Sequence, residues 1–208
     1  MNFKEISENL SLAGYEFYRR GWVMGTSGNF SVVVDQEPVR LAITRSGTHK
    51  GELTANDILE VGSDGTSIGT RPGLPSAETR LHLEIVSARR AAAVLHTHSI
   101  WGTLMSDRFG SRGGVPIQGY EMLKGLAGVT THEHREWIPV LENDQDIARL
   151  GVKVRGTLGE YPDCHAFLLR RHGLYTWGAT VQEAVRHVEI VEFLLETVGR
   201  KEAAPWRS

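Results

Sequence analysis

Apolar residues near the start of the chain recur at helical spacing: Ile6, Leu10, Ala13 and Phe17 fall four, three and four apart. This predicts an amphipathic helix over residues 3–20, stopped at Gly21 after the basic pair Arg19-Arg20. The pattern then shifts to β-branched runs. Asn29–Val34 (NFSVVV) and Val39–Thr44 (VRLAIT) read as neighbouring strands. Thr54 is expected to cap a short helix, and Pro75-Ser76 precede a helix to about Arg90 with Leu81, Ile85 and Ala88 on one face. Ala92–His98 (AAVLHTH) reads as a buried strand and Ser99–Ser106 as a short helix. Val115–Ile117 and Trp137–Leu141 are further strands, with a helical turn at Glu121–Leu126 between them. Asn143 is expected to cap a helix that turns Ile147, Leu150 and Val154 inward. Ala166–Arg171 and Leu174–Trp177, joined at His172-Gly173, read as a hairpin. Thr180 and Glu183 have capping-box spacing, ahead of a last helix carrying Ala184, Val188, Val191, Leu195 and Val198. Several strands are joined by turns too short for a crossover. The expectation is therefore one α/β domain over residues 1–208, with a mixed, mainly antiparallel central sheet flanked by helices.

Composition narrows the function classes. The chain has 208 residues, 40% of them hydrophobic, and 23 Lys+Arg against 25 Asp+Glu give a formal charge of −2. That balance carries no electrostatic footprint for nucleic acid or an anionic membrane. The single cysteine, Cys164, excludes an intrachain disulfide and a cysteine-rich zinc module. No apolar run approaches the ~20 residues of a membrane-spanning helix. The opening MNFKEISENL mixes charged and apolar residues and does not read as a signal peptide, so a cytoplasmic protein is expected.

Nine histidines direct attention to chemistry. His96 and His98 sit two apart at the end of an apolar strand, so both rings leave one face. The pair reads either as two metal ligands or as two satisfied surface histidines. His172, beside Gly173 in the hairpin turn, is the best third ligand for a tetrahedral cation. His132 and His134 lie in a charged stretch and read as solvated or substrate-facing; His49, His82, His165 and His187 read as polar surface or capping residues. Thr26-Ser27-Gly28-Asn29 and Thr44-Arg45-Ser46-Gly47 expose backbone N–H groups that can cradle an anion, and Ser76 lies where a helix N-terminus would favour phosphate. Arg45, Lys50 and Lys124 either add charge there or are solvated. Glu78 and Glu121 are candidate proton carriers beside a metal, or ordinary first-turn carboxylates.

TSGNFS, ITRSG, PSAET, LHTHS and RRHGLYTWG, in this order, resemble the class II aldolase/adducin family over essentially the whole chain. GYEMLKGL and HEHREWIPVLEN resemble more specifically the branch that dehydrates 5-methylthioribulose 1-phosphate in methionine salvage. The resemblance implies a three-layer fold and one Zn2+ per subunit on His96, His98 and His172. It implies phosphate binding at Gly28, Asn29, Ser46, Gly47 and Ser76, and acid/base work by Glu121. Glu78 falls where the aldolases keep a catalytic glutamate, so the division of labour between Glu78 and Glu121 stays open. The substrate would be a small phosphorylated ketose and the assembly a homotetramer whose site a neighbouring subunit completes. The alternatives are an aldolase or epimerase of the fuculose- or ribulose-phosphate type and a non-catalytic adducin-like interaction domain. Trp101, Met105, Tyr120 and Met122 are candidates for a methylthio pocket, and Trp137 and Trp206 for an interface.

Overall fold

A capping box opens the first helix: the Asn2 side chain accepts from the Glu5 backbone N–H and the Glu5 carboxylate from that of Asn2, each at 2.9 Å. In the computed structural model, which describes residues 2–69 and 71–203, α1 spans Phe3–Arg19 and buries the four apolar positions that the spacing selects. The strands are β1 (Asn29–Gln36), β2 (Val39–Thr44), β3 (Ile58–Val61), β4 (Ser67–Ile68), β5 (Ala93–Thr97), β6 (Gly114–Gln118), β7 (Arg135–Leu141), β8 (Ala166–Leu169) and β9 (Gly173–Gly178). The other helices are α2 (Thr79–Arg89), α3 (Ile100–Phe109), α4 (Ile147–Glu160) and α5 (Val181–Ala203).

The strands form one sheet in the order β4-β3-β2-β1-β5-β9-β8-β7-β6. Every pairing is antiparallel except β7 with β8. Strand alternation sends residues to two separate cores. Leu41, Val94, Phe167 and Tyr175 pack against α2 and α4, whereas Ala42, Leu95, Leu168 and Leu174 face the side covered by α1, α3 and α5. The result is the expected three-layer α/β domain with a mixed, mainly antiparallel sheet.

Several boundaries differ from the sequence reading. β3 and β4 are too short to show a pattern of their own and exist as additions to the β2 edge. The element after Thr54 is one 3-10 turn over Ala55–Asp57. α2 begins at Thr79, not at Ser76; Ser76 lies in the lead-in turn, where its hydroxyl accepts from the Glu78 N–H at 3.2 Å. Asp146 rather than Asn143 caps α4, accepting from the Arg149 N–H. No described helix is long and apolar enough to cross a membrane.

Candidate active site and metal centre

His96 occupies a position on β5 that faces the α2/α4 layer, two residues on from Val94. His98 follows the strand, its backbone N–H tied to the Trp22 carbonyl at 2.7 Å. His172 arrives from the β8–β9 turn, which Arg171 closes in the left-handed region (φ 56°). Gly173 makes that approach feasible, because a Cβ there would collide with the Thr97 carbonyl. Below the site, His96 stacks on Tyr175 (centroids 3.9 Å apart, planes at 12°), and Tyr175 stacks on Phe167 at 4.9 Å.

The three Nε2 atoms converge. His96 Nε2 lies 2.8 Å from His98 Nε2 and 3.4 Å from His172 Nε2. His96 Nδ1–H donates to the Leu174 carbonyl at 2.9 Å, so the lone pair of this neutral ring points into the cluster. Burial, then the neighbouring His172, push the His96 pKa well below its ordinary value, and burial with His96 pushes His98 down to about 3. Imidazole nitrogens that face one point are the donor set that a divalent cation takes, so the residues fit a metal centre.

The Glu78 carboxylate reaches the same point, with Oε2 3.3 Å from His96 Nε2 and Oε1 3.4 Å from His172 Nε2. A buried chain of hydrogen bonds orients it. Ser31 Oγ–H donates to His82 Nδ1 at 2.7 Å, His82 Nε2–H to Asn29 Oδ1 at 2.5 Å, and Asn29 Nδ2–H to Glu78 Oε2 at 2.6 Å. Asn29 and Ser31 share the α2-facing side of β1 by alternation. One N–H of the Asn29 amide is therefore held by Glu78, and the residue lines the cavity that opens over the cluster. His82 is wholly buried rather than at the surface, and burial lowers its pKa to about 4. A single histidine in a helical stretch gives no sequence signal for such a role.

A cavity of about 430 Å3 opens over the cluster and is lined by His98, His172 and Glu78. The three small-residue segments meet in it: Ser27, Gly28, Ser46, Gly47 and Ser76 all line it. Gly28 takes a φ of +74°, and a Cβ there would stand 2.7 Å from the His96 carbonyl oxygen. Ser27 Oγ is buried with no partner. Lys50 is only 1% exposed, contrary to a solvated residue. Its ammonium donates to the carbonyls of Thr26 (3.1 Å) and Thr48 (2.8 Å), leaving the third of its donors for the cavity. Burial lowers its pKa to about 8, opposed by Asp57. Arg45 lines the cavity while paired with Asp57 at 2.9 Å.

Other expected residues lie elsewhere. Glu121 sits on a 3-10 turn over Glu121–Gly125, anchored by Leu123 and Leu126 in the core between the sheet and α3/α5, the face opposite the histidines. Its side chain is 70% exposed, paired with Lys124 and 3.9 Å from His132. Within one chain it does not reach the metal cluster. Trp101, Met105 and Tyr120 pack on that same face, so they do not form a methylthio pocket beside the cluster of their own chain, and Met122 is exposed. Trp137 is half-buried against Tyr161, and Trp206 lies outside the described residues. His134 and His165 are not free surface groups: both bond to the buried Glu136. His187, also buried, spans the Trp177 carbonyl and the Ala127 N–H.

Comparison with known proteins gives the family and the fold. The family model for the Class II Aldolase and Adducin N-terminal domain matches residues 8–198. The methylthioribulose-1-phosphate dehydratase of Pseudomonas aeruginosa (strain LESB58) is 44% identical over 197 residues, covering 94% of each chain. That of Pseudomonas fluorescens (strain Pf0-1) is 43% identical over 195 residues, 93% of this chain and 91% of the relative. Among solved structures, YgbL from Klebsiella pneumoniae superposes with a TM-score of 0.80 at 24% identity, covering 96% of this chain and 91% of that one. The L-fuculose-1-phosphate aldolase of Thermus thermophilus gives 0.76 at 22%, covering 97% of each.

Proposed function

Because the chain belongs to the class II aldolase and adducin family, we propose that it is a hydro-lyase that dehydrates 5-methylthioribulose 1-phosphate to 2,3-diketo-5-methylthiopentyl 1-phosphate. The carrying observation is that two of three converging imidazoles, a carboxylate and an anion cradle line one cavity, with the third imidazole buried directly behind them. Identity of 44% to a protein bearing that activity supports the choice of substrate.

His96, His98 and His172 would hold one Zn2+, which when bound supplies Lewis acidity at the C2 ketone and C3 hydroxyl and makes the C3 proton labile. The ammonium of Lys50 and the donors of Ser27, Gly28, Ser46, Gly47 and Ser76 would receive the phosphate. Asn29, which the resemblance also assigns to phosphate, lines the same cavity and holds Glu78 Oε2 with one of its two amide N–H groups. Glu78 would take the C3 proton on the oxygen freed as substrate enters. Loss of the C4 hydroxyl as water leaves an enol that tautomerises to the diketone, so the product is substrate minus water. Glu121 would protonate that leaving hydroxyl from a second copy of the chain. Its exposure and its place on the far face support a donor in trans, in a cytoplasmic homotetramer such as the resemblance implies.

The position of Glu78 favours a second reading, an aldolase or epimerase using one base. Product analysis with the methylthio pentulose phosphate separates them. A diketone with water loss is expected; a triose phosphate plus an aldehyde would establish the aldolase instead. Mixing inactive Glu121→Gln and His172→Asn chains tests the shared site: re-assembled oligomers should regain activity, and mixtures that stay inactive refute donation in trans.

A further inference from the structure

A second set of metal-ligating side chains lies at the opposite end of β8 from His172. The parallel pairing of β7 and β8 aligns Val140 with Leu168, and this register brings the residue preceding β8, His165, beside the start of β7. There His134 and Glu136 leave the chain two residues apart, so both can face one point. Glu136 is 3% exposed. Its Oε1 accepts the His165 backbone N–H at 3.0 Å. Its Oε2 is approached by two imidazole nitrogens, His134 Nε2 at 2.8 Å and His165 Nδ1 at 3.0 Å.

The environment fixes which nitrogen of His165 points inward. Its Nε2 is 2.8 Å from the Ala127 carbonyl and must donate to it, because a carbonyl only accepts. Nδ1 is then either a lone pair or the second proton of an imidazolium. A backbone carbonyl on the outer nitrogen is the support that holds a metal-ligating histidine in orientation. The Ala127 peptide is itself held from its other side, where its N–H donates to His187 Nε2 at 3.0 Å. The three ligand atoms lie within 4.8 Å of one another. Two imidazoles and one carboxylate form a known three-ligand zinc set that leaves one position open. A cavity of about 540 Å3, lined by His134 and His165, gives a route for the ion and room for a water at that position.

We propose that His134 Nε2, Glu136 Oε2 and His165 Nδ1 form a second divalent-cation site, separate from the triad of His96, His98 and His172. The cation replaces the protons that otherwise bridge the two rings to the carboxylate. Relative to Glu136 Oε2, each nitrogen needs to move only a few tenths of an ångström outward from 2.8 and 3.0 Å, since two ligands ~2.0–2.1 Å from a tetrahedral ion stand farther apart than two hydrogen-bonded atoms. Once bound, it pins the segment before β7 to the start of β8. The chemistry suits Zn2+ or Co2+, with a stabilising rather than a catalytic role, because Glu78 and the anion cradle are absent from this end of the sheet.

The test is metal stoichiometry on the intact chain, purified without chelator and equilibrated with Zn2+ for elemental analysis or Co2+ for visible absorption. Wild type should hold about two equivalents per chain, with His98→Asn/His172→Asn and His134→Asn each holding about one. Adding His134→Asn to the first variant should remove the tetrahedral Co2+ spectrum and the Zn2+-dependent rise in Tm. Circular dichroism controls for folding, and Glu136→Gln repeats the test with near-isosteric packing. About one equivalent in wild type and none in His98→Asn/His172→Asn would overturn the proposal, leaving a proton-bridged network. So would metal in that variant that survives both His134→Asn and Glu136→Gln.

Discussion

Lys50 offers the sharpest physical test, because its ammonium is buried beside carbonyl oxygens rather than a carboxylate. Its side chain is 1% exposed and its pKa falls from 10.5 to about 8, chiefly through burial. At pH 7 the group is protonated in both the folded and the unfolded chain, and the cost of burying the charge is fully present. Between pH 8 and 10.5 the folded chain releases the proton while the unfolded chain retains it, so stability rises with pH in that window and falls again as pH drops through 8. At ~1.4 kcal/mol per pKa unit, raising the pH from 7 to 9.5 should stabilise wild type by about 2 kcal/mol more than Lys50→Met. Urea unfolding of both proteins at the two pH values measures this difference. Saturating inorganic phosphate should shrink it, because an anion in the cradle favours the ammonium form. Parallel pH profiles for the two proteins would refute the assignment of a buried ammonium facing the cavity.

His82 predicts the opposite end of the pH scale. With its pKa lowered to about 4, it stays neutral in the fold while the unfolded ring takes a proton below 6.5. Chelator-treated wild type should therefore lose about 2 kcal/mol more than His82→Gln between pH 7 and 5; equal losses would remove His82 from the network. Glu78→Gln should keep its metal and lose turnover by about 100-fold or more, and unchanged kcat with unchanged product would exclude Glu78 as a base. Gly28→Ala combines a positive φ with a Cβ 2.7 Å from the His96 carbonyl oxygen. It should destabilise by about 2–4 kcal/mol in urea and weaken metal binding; a cost under about 1 kcal/mol would show that the turn relaxes freely.

The parts of this site readable in the sequence are those written in local periodicity. Alternation places His96 and His98 together, and the short turn at His172-Gly173 marks a hairpin end. The three Ser/Gly segments are each weak, and the order β2-β1-β5 is what assembles them. The Glu78 relay is invisible because its links join residues 49 and 53 positions apart across different elements. Lys50 looks like any surface lysine until α1 covers it. Burial of His82, Glu136 and His187, and half-burial of His165, follow from tertiary contacts to backbone and carboxylate, which no local pattern announces. Ser76 illustrates a boundary effect: its hydroxyl closes a turn onto the Glu78 N–H, so the helix starts three residues later. Glu121 is legible as a candidate but not in its place, since the turn that carries it is glued by Leu123 and Leu126 to the other side of the sheet.

The stacked rings of His96, Tyr175 and Phe167 tie the plane of one imidazole to the interior of the α2/α4 layer. Affinity for the cation is thus answerable to residues that never meet it. Trimming Phe167 to a smaller aliphatic would let Tyr175 tilt and carry His96 with it. Ion release would then precede loss of the fold on warming, and drift in this patch of the interior would be felt first as altered metal occupancy.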